Sequence, residues 1–120
     1  MNEIRFTVPG KPTAWKRVKV GRYGQTYNPS QKDEETIGFY ALAGRRNAKL
    51  SILGGSIRLQ VICYGADPAS DWDNLGKCVS DALNGVVWQD DRQVVDARVM
   101  KLPCAKGQER TEVQVEAIVA

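Results

Sequence analysis

Residues 75–83 constrain the fold of this chain more than any other stretch. Apolar residues recur there at intervals of three and four positions, namely Leu75, Cys78, Val79, Ala82 and Leu83. That spacing puts them on one stripe of an α-helix, and the stripe must pack against another element to leave water. Asn84-Gly85 is a typical C-terminal stop for such a helix. We therefore predict an amphipathic helix here, with Asp73 or Asn74 as its N-terminal cap.

Alternating apolar and polar residues predict four strands, at residues 4–8, 56–64, 95–99 and 113–117. A further helix is predicted to begin after Ser30, as its N-cap, and to continue through Ala48. Glycines, prolines and basic residues fill residues 10–29, which predicts a long loop or a loose hairpin. The predicted order is β-α-β-α-β-β, typical of an α+β fold with a mixed sheet. In that fold the last two strands can pair as a hairpin.

The composition excludes several classes of site. With 120 residues the chain can bury one core, and we expect residues 1–120 to form a single domain. The absence of histidine excludes histidine bases, histidine metal ligands and Ser-His or Cys-His nucleophile pairs. Three widely spaced cysteines predict neither a disulfide framework nor a zinc site. No apolar run approaches the roughly 18 residues that span a bilayer, and no signal peptide is visible. We therefore expect a cytoplasmic protein with no membrane contact and no small-molecule cofactor.

The acidic residues before the predicted helix form an Asp-x-Asp-Asn-x-x-Lys segment at 71–77. In an extended segment, Asp71 and Asp73 project to the same side. Two carboxylates that close repel each other unless a cation lies between them or one of them is protonated. Mg²⁺ prefers carboxylate oxygens and keeps several waters for substrate phosphates. The segment predicts an Mg²⁺ site for phosphate chemistry, although a pair of capping aspartates would have the same spacing.

A second acidic pair, Asp90-Asp91, follows the helix, where an antiparallel return would bring it back beside the helix start. Its alternative interpretation is a polar turn. Lys77 lies one helical turn after the first pair, where it can reach a phosphate or steady a carboxylate. Together these features favour metal-dependent phosphodiester hydrolysis. Asp81 is expected to be a surface charge or a partner of Lys77, and Asp96 either faces solvent or supports the site.

Positive charge is concentrated near the N-terminus, since residues 4–32 contain no acidic residue. The candidate DNA-binding residues are Lys11, Lys16, Arg17, Lys19 and Arg22. Bases could stack on Trp15 or Tyr23, which lie among these basic residues. The alternative interpretation is that the basic residues belong to a solvated loop with no ligand. Arg45, Arg46 and Lys49 could hold further phosphates. Trp72 and Trp88, which flank the acidic pairs, are each expected to be core anchors.

Three motifs in succession resemble one known family. The Asp-x-Asp-Asn-x-x-Lys segment at 71–77 is followed by Asp-Ala-Leu at 81–83 and by an aromatic-x-Asp-Asp-x-x-Val turn at 88–94. This succession resembles the signature of the RusA family of Holliday junction resolvases, closely over residues 71–101. Val-Pro-Gly-Lys-Pro at 8–12 is similar to the family's first turn, whereas residues 11–49 diverge.

The resemblance implies a RusA-like fold and a homodimeric, Mg²⁺-dependent endonuclease. Such an enzyme cuts four-way junction DNA symmetrically during recombination and repair, and its gene often lies in a phage or prophage. By motif position, Asp71, Asp73 and Asp91 match the family's essential acidic residues, and Lys77 matches its catalytic lysine. Asp90, beside the third carboxylate, is a further candidate metal ligand. Two alternatives remain open: a non-catalytic module that binds branched or single-stranded DNA, and a metal-dependent phosphohydrolase of small nucleotides.

Overall fold

The structure is a computed structural model that describes residues 2–118. Its strands are β1 (Glu3–Pro9), β2 (Lys19–Val20), β3 (Thr26–Tyr27), β4 (Ile57–Tyr64), β5 (Val94–Leu102) and β6 (Arg110–Ala117). Its helices are α1 (Gln31–Asn47) and α2 (Trp72–Leu83), and a short 3₁₀ helix spans Asp91–Gln93. The predicted α+β class, with two helices and a mixed sheet, is therefore confirmed.

The main sheet has the strand order β1-β6-β4-β5, and β2 pairs with β3 in a separate two-stranded hairpin. Strand β6 is antiparallel to both β1 and β4, whereas β4 and β5 are parallel. The predicted pairing of the last two strands as a hairpin is wrong. Helix α2 carries the chain back so that β5 can lie parallel to β4 at the edge of the sheet. Strand β6 then takes the central place, and its apolar residues Val113 and Val115 are buried, as a strand with two neighbours requires.

The predicted stripe on α2 is buried. Leu75, Cys78, Val79, Ala82 and Leu83 are all in the core, and α2 contacts α1, β4 and β5. Gly76 lies on the same side of the helix and is also buried. A methyl group at Gly76 would come within 2.8 Å of Cγ2 of Val99 on β5. This glycine therefore permits the close approach of α2 to the edge strand.

Both helix starts differ in part from prediction. Helix α2 begins at Trp72 with Asp71 as its extended N-cap residue, so neither Asp73 nor Asn74 is the cap. Asp73 lies in the first helical turn, so the expected extended segment that carries both Asp71 and Asp73 does not form. Ser30 does occupy the N-cap position of α1, but its hydroxyl accepts a hydrogen bond from the backbone N–H of Lys16 at 2.8 Å. Ser30 therefore fixes the basic segment, residues 11–22, rather than capping the helix.

The residues predicted as a loop or a loose hairpin contain the short β2–β3 hairpin, in which Lys19 pairs with Tyr27. The segment before it is tied to both helices. The N–H of Trp15 donates to the carbonyl of Asn74 on α2 at 2.8 Å, and the Lys16 N–H bonds to Ser30. Trp15 and Lys16 of the basic segment therefore have fixed backbone positions beside the two helices. Within the described residues, neither helix is long and apolar enough to cross a membrane.

We expect Gly76→Ala to destabilise the fold by about 1–3 kcal/mol, because the added methyl group would press on the branched side chain of Val99. Urea unfolding measures the change. Gly38→Ala is the matched control in α1, where the new methyl group would meet only the Ala82 carbonyl at 3.5 Å. Adding Val99→Ala to Gly76→Ala should recover part of the lost free energy of unfolding, because it removes the methyl groups that the new side chain meets. Equal stabilities of the two glycine variants would contradict the close packing of α2 on β5.

Candidate active site

A cleft of about 290 Å³ lies between α2 and strand β5. Leu59, Val94 and Val99 contribute apolar surface to it. Its polar wall comes from α2 and from the turn after it, namely Asp73, Lys77, Ser80, Asp81 and Asp91. The four residues from α2 recur at intervals of four, three and one along the helix, so they share one polar face beside the buried stripe.

Three of the predicted site residues, Asp73, Asp91 and Lys77, therefore border one cleft. Asp71 is exposed at the N-cap of α2, immediately before the helix, and does not line the cleft. The N–H of Leu75 donates to the carbonyl of Asp71 at 3.1 Å, which fixes its backbone. Lys101 supports the preceding loop by donating to the carbonyl of Ser70 at 2.7 Å. Asp71 thus stands on a held backbone at the entrance to α2.

Asp91 is held in the cleft by a buried donor. The indole Nε1–H of Trp88 donates to Oδ1 of Asp91 at 2.9 Å, and the Ser80 hydroxyl lies 3.4 Å from the same oxygen. Trp88 has no exposed surface, so its ring is fixed by the core, as predicted. Among the described residues both bonds reach Oδ1, which leaves Oδ2 of Asp91 available to a ligand.

Gln93 holds the acidic turn against the rest of the domain. Its side-chain oxygen accepts from the backbone N–H groups of Gln89 and Asp90 at 2.9 and 3.0 Å. Its side-chain nitrogen donates to the carbonyls of Leu53 and Gly55, each at 3.0 Å. The side-chain amide of Gln93 therefore connects the turn that carries Asp91 to the segment that contains Leu53 and Gly55.

Asp90 has the bonds of a structural turn residue. Its Oδ1 accepts from the Arg92 N–H at 2.9 Å, and its Oδ2 accepts from the Arg92 guanidinium at 3.0 Å. These hydrogen bonds lower the pKa of Asp90. Asp90 does not line the cleft, and both its carboxylate oxygens are already bonded. The pair thus divides its roles, with Asp91 at the cleft and Asp90 capping the 3₁₀ helix.

Lys77 lies between a carboxylate and an aromatic ring. Its Nζ is 3.6 Å from Oδ2 of Asp81 and 4.9 Å from the centroid of the Trp15 ring. The partnership with Asp81 was expected from the sequence. The contact with Trp15 was missed, because nothing in the local pattern reveals a neighbour so far away along the chain. A cation over an indole ring is attracted by the ring's electrons.

Two further titratable groups, Glu34 and Cys78, are influenced by the charge of Asp81 on α2. Burial raises the pKa of Glu34 on α1, the Asn28 amide partly offsets that rise, and the charge of Asp81 adds to it. Burial also raises the pKa of the Cys78 thiol to about 11. Cys78 therefore behaves as a core residue, as expected, rather than as a nucleophile. Glu34 was not singled out by the sequence, since its contact with α2 is again non-local.

The residues of the cleft are suited to a divalent cation but do not form a closed cage. Among residues 2–118, no group of three or more acidic or cysteine side chains lies close enough to hold a metal ion. Asp73 and Asp91 nevertheless offer hard oxygen donors to one open cleft. Mg²⁺ commonly takes one or two protein carboxylates and completes its shell with water and substrate phosphate. The donor chemistry fits such a site.

The five candidate DNA-binding residues, Lys11, Lys16, Arg17, Lys19 and Arg22, are all exposed. Tyr23 is also available for stacking, with 85% of its surface exposed. Trp15 is partly buried, and Lys77 lies over its ring. Its ring is therefore less available to a base than was expected. Arg45 is also engaged, because it donates to the carbonyl of Val86 at 2.8 Å.

Asp67, Asp81 and Asp96 have different partners, and the exposure of Trp72 differs from expectation. Asp96 on β5 pairs with Arg58 at 2.9 Å and lies outside the cleft. Asp67 accepts from the N–H of Ala69 within its own loop. Asp81, a predicted partner of Lys77, also lines the cleft. The expectation that Trp72 is a core anchor is wrong, since 63% of its surface is exposed.

Comparisons with known proteins agree with the motifs. The family model described as endodeoxyribonuclease RusA matches residues 9–116. Proteins named crossover junction endodeoxyribonuclease RusA from Escherichia coli (strain K12) and Shigella sonnei (strain Ss046) are 43% identical to this chain over 110 residues, which is 89% of each chain. A protein of Bacillus subtilis (strain 168) named YqaN is 28% identical over the full length of both chains. This chain is therefore a member of the RusA family of endodeoxyribonucleases.

Proposed function

We propose that this protein resolves Holliday junctions in DNA recombination and repair by making paired, symmetric nicks with a divalent cation, Mg²⁺. The observation that carries the proposal is the shared cleft of Asp73, Asp91 and Lys77. Relatives that are named crossover junction endodeoxyribonucleases suggest the substrate. We further propose that residues 1–120 act as one endonuclease domain.

In this proposal Asp73 and Asp91 are the cation ligands in the cleft, and Asp71, at the N-cap of α2, would have to move toward the cleft to become a third ligand. Asp90 would join them only after releasing Arg92, which binds both its oxygens. A bound Mg²⁺ would polarise the scissile phosphate and lower the pKa of a coordinated water. The protein's own part is to keep Oδ2 of Asp91 free while Trp88 and Ser80 hold Oδ1.

Lys77 is the positively charged side chain of the candidate site, beside its carboxylates. Its ammonium group is positioned by Asp81 and by the Trp15 ring, at 3.6 and 4.9 Å. A fixed cation at the edge of the cleft can stabilise the charge that develops on the phosphate oxygens in the transition state. An ammonium group has three N–H donors, and the Asp81 carboxylate can accept only some of them, so donors remain for the substrate.

The substrate would be held by the exposed basic segment, whose first residues are bonded to α1 and α2. Lys11, Lys16, Arg17, Lys19 and Arg22 would pair with phosphates of the junction arms, and binding would weaken steeply as salt increases. One cleft makes one nick, so two symmetric nicks require two clefts. We therefore propose that the active form is a homodimer with two-fold symmetry.

The test of this function uses a labelled four-way junction and a linear duplex of the same sequence, each with Mg²⁺ or with EDTA. We expect nicks at symmetric positions in two opposing strands of the junction only, and only with Mg²⁺. A non-catalytic DNA-binding module would bind the junction without giving a product. A nucleotide phosphohydrolase would instead hydrolyse mononucleotides, and junction DNA would not compete with them for its active site.

Asp73→Asn should abolish junction cleavage in Mg²⁺ while junction binding stays the same or tightens, because a negative charge beside the phosphate is removed. Cleavage and gel-shift assays measure the two effects. Asp33→Asn is the matched control, since it makes the same charge change on α1 outside the cleft. Near wild-type nicking by the Asp73 variant would refute the ligand assignment.

Trp88→Phe keeps an aromatic ring in the core and removes the donor to Asp91. Because a hydrogen bond to a charged group contributes about 1.5–3 kcal/mol, we expect cleavage to slow by about tenfold or more. The Mg²⁺ concentration for half-maximal rate should also rise, and a titration of rate against Mg²⁺ measures it. An unchanged Mg²⁺ dependence would show that the indole does not position a ligand.

Trp15→Leu removes the ring beneath Lys77 and should lower kcat several-fold, since a cation–π contact contributes about 0.5–2 kcal/mol. Trp15→Phe retains a ring and should recover most of that loss. Single-turnover cleavage with saturating enzyme measures the rate, and thermal melting shows whether the fold is intact. Equal rates for the leucine and phenylalanine variants would contradict a role for the ring.

A further inference from the structure

Trp72 is the first residue of α2 and lines the cleft beside Asp73, yet 63% of its surface is exposed. Large aromatic side chains normally bury most of their area, as Trp88 does. Trp72 therefore contributes little to the core. Its exposed ring stands in the wall of the candidate active site, next to the residues that would hold a scissile phosphate.

The surroundings of Trp72 restrict what its ring can bind. Its chain neighbours Asp71 and Asp73 are exposed carboxylates, and Lys77 lies one helical turn after Asp73. An apolar protein partner would have to bury those charges without compensation. A nucleobase would cover the ring with its flat face while its sugar and phosphate stayed in the polar, hydrated part of the cleft. Base–aromatic stacking is tolerant of sequence because every base has such a face.

The bases of an intact duplex have no free face, because each is stacked between two neighbours. A base at a strand exchange or another helical discontinuity can expose one face at a lower cost than a base inside a continuous helix. A stacking residue beside the catalytic groups would therefore favour a phosphate next to such a base over one inside a continuous helix.

We propose that Trp72 is a stacking platform for an unstacked nucleobase that flanks the scissile phosphate, and that it contributes to the selection of branched over linear DNA. The proposal rests on the proposed function for its substrate class. Stacking needs no cation, so this contact would form before catalysis and in the presence of EDTA.

The test places 5-iododeoxyuridine at the nucleotide beside the cleavage position of a four-way junction, with EDTA present. After irradiation, mass spectrometry should map the cross-link to Trp72. Trp72→Ala should lose that cross-link and bind the junction about tenfold more weakly, with unchanged binding of linear duplex. Trp72→Phe should keep most of the cross-link and most of the affinity for the junction. Phe39→Ala, at an aromatic residue on α1 that is 67% exposed and outside the cleft, should behave like the wild type.

Two results would overturn the proposal. A cross-link that maps elsewhere, with wild-type junction binding by Trp72→Ala, would show that no base stacks on this ring. A change in the molecular mass of free Trp72→Ala, measured by sedimentation, would assign the ring to a contact between protein chains. If the wild type cross-links at Trp72 but never nicks a junction with Mg²⁺, the proposed function fails while the stacking site stands.

Discussion

The burial of one face of α2 determines where the chemistry of this protein is placed. Leu75, Val79 and Leu83 fix the rotation of the helix about its axis, because any other rotation would expose them. Gly76 fixes its distance from β5, where Val99 leaves no room for a larger residue. Once rotation and distance are set, Asp73 and Lys77 have a single place in the cleft. The core and the candidate site are therefore two faces of one helix.

The second half of the site depends on a single buried donor. The indole of Trp88 belongs to the core by its burial and to the cleft by its hydrogen bond to Asp91. The Gln93 amide holds the same turn from the other side, through the carbonyls of Leu53 and Gly55. An acidic residue on a short turn thus gains a defined position without belonging to a helix or a long strand. The same geometry explains why Asp91 and its neighbour Asp90 differ, since Arg92 binds only the latter.

Local patterns in the sequence predicted the elements well, and non-local partners less well. The period of the apolar residues gave α2 and its buried face, and alternation gave the strands. Alternation does not specify which strands are neighbours, and so the prediction that the last two strands pair as a hairpin was wrong. Trp72 continues the spacing of the stripe three residues before Leu75 but is exposed, because periodicity does not show how far a covering element extends. The contact of Lys77 with Trp15 likewise has no local signal.

The proposed chemistry requires the segment containing Asp73 and the turn containing Asp91 to hold the same cation. Cleavage of the polypeptide by bound Fe²⁺ tests it directly, because ascorbate and peroxide generate radicals that cut only the backbone near the metal. We expect cuts in both segments, around residues 71–77 and 88–93, and we expect excess Mg²⁺ to suppress them. Cuts confined to one segment, or scattered cuts that Mg²⁺ does not suppress, would contradict a shared site.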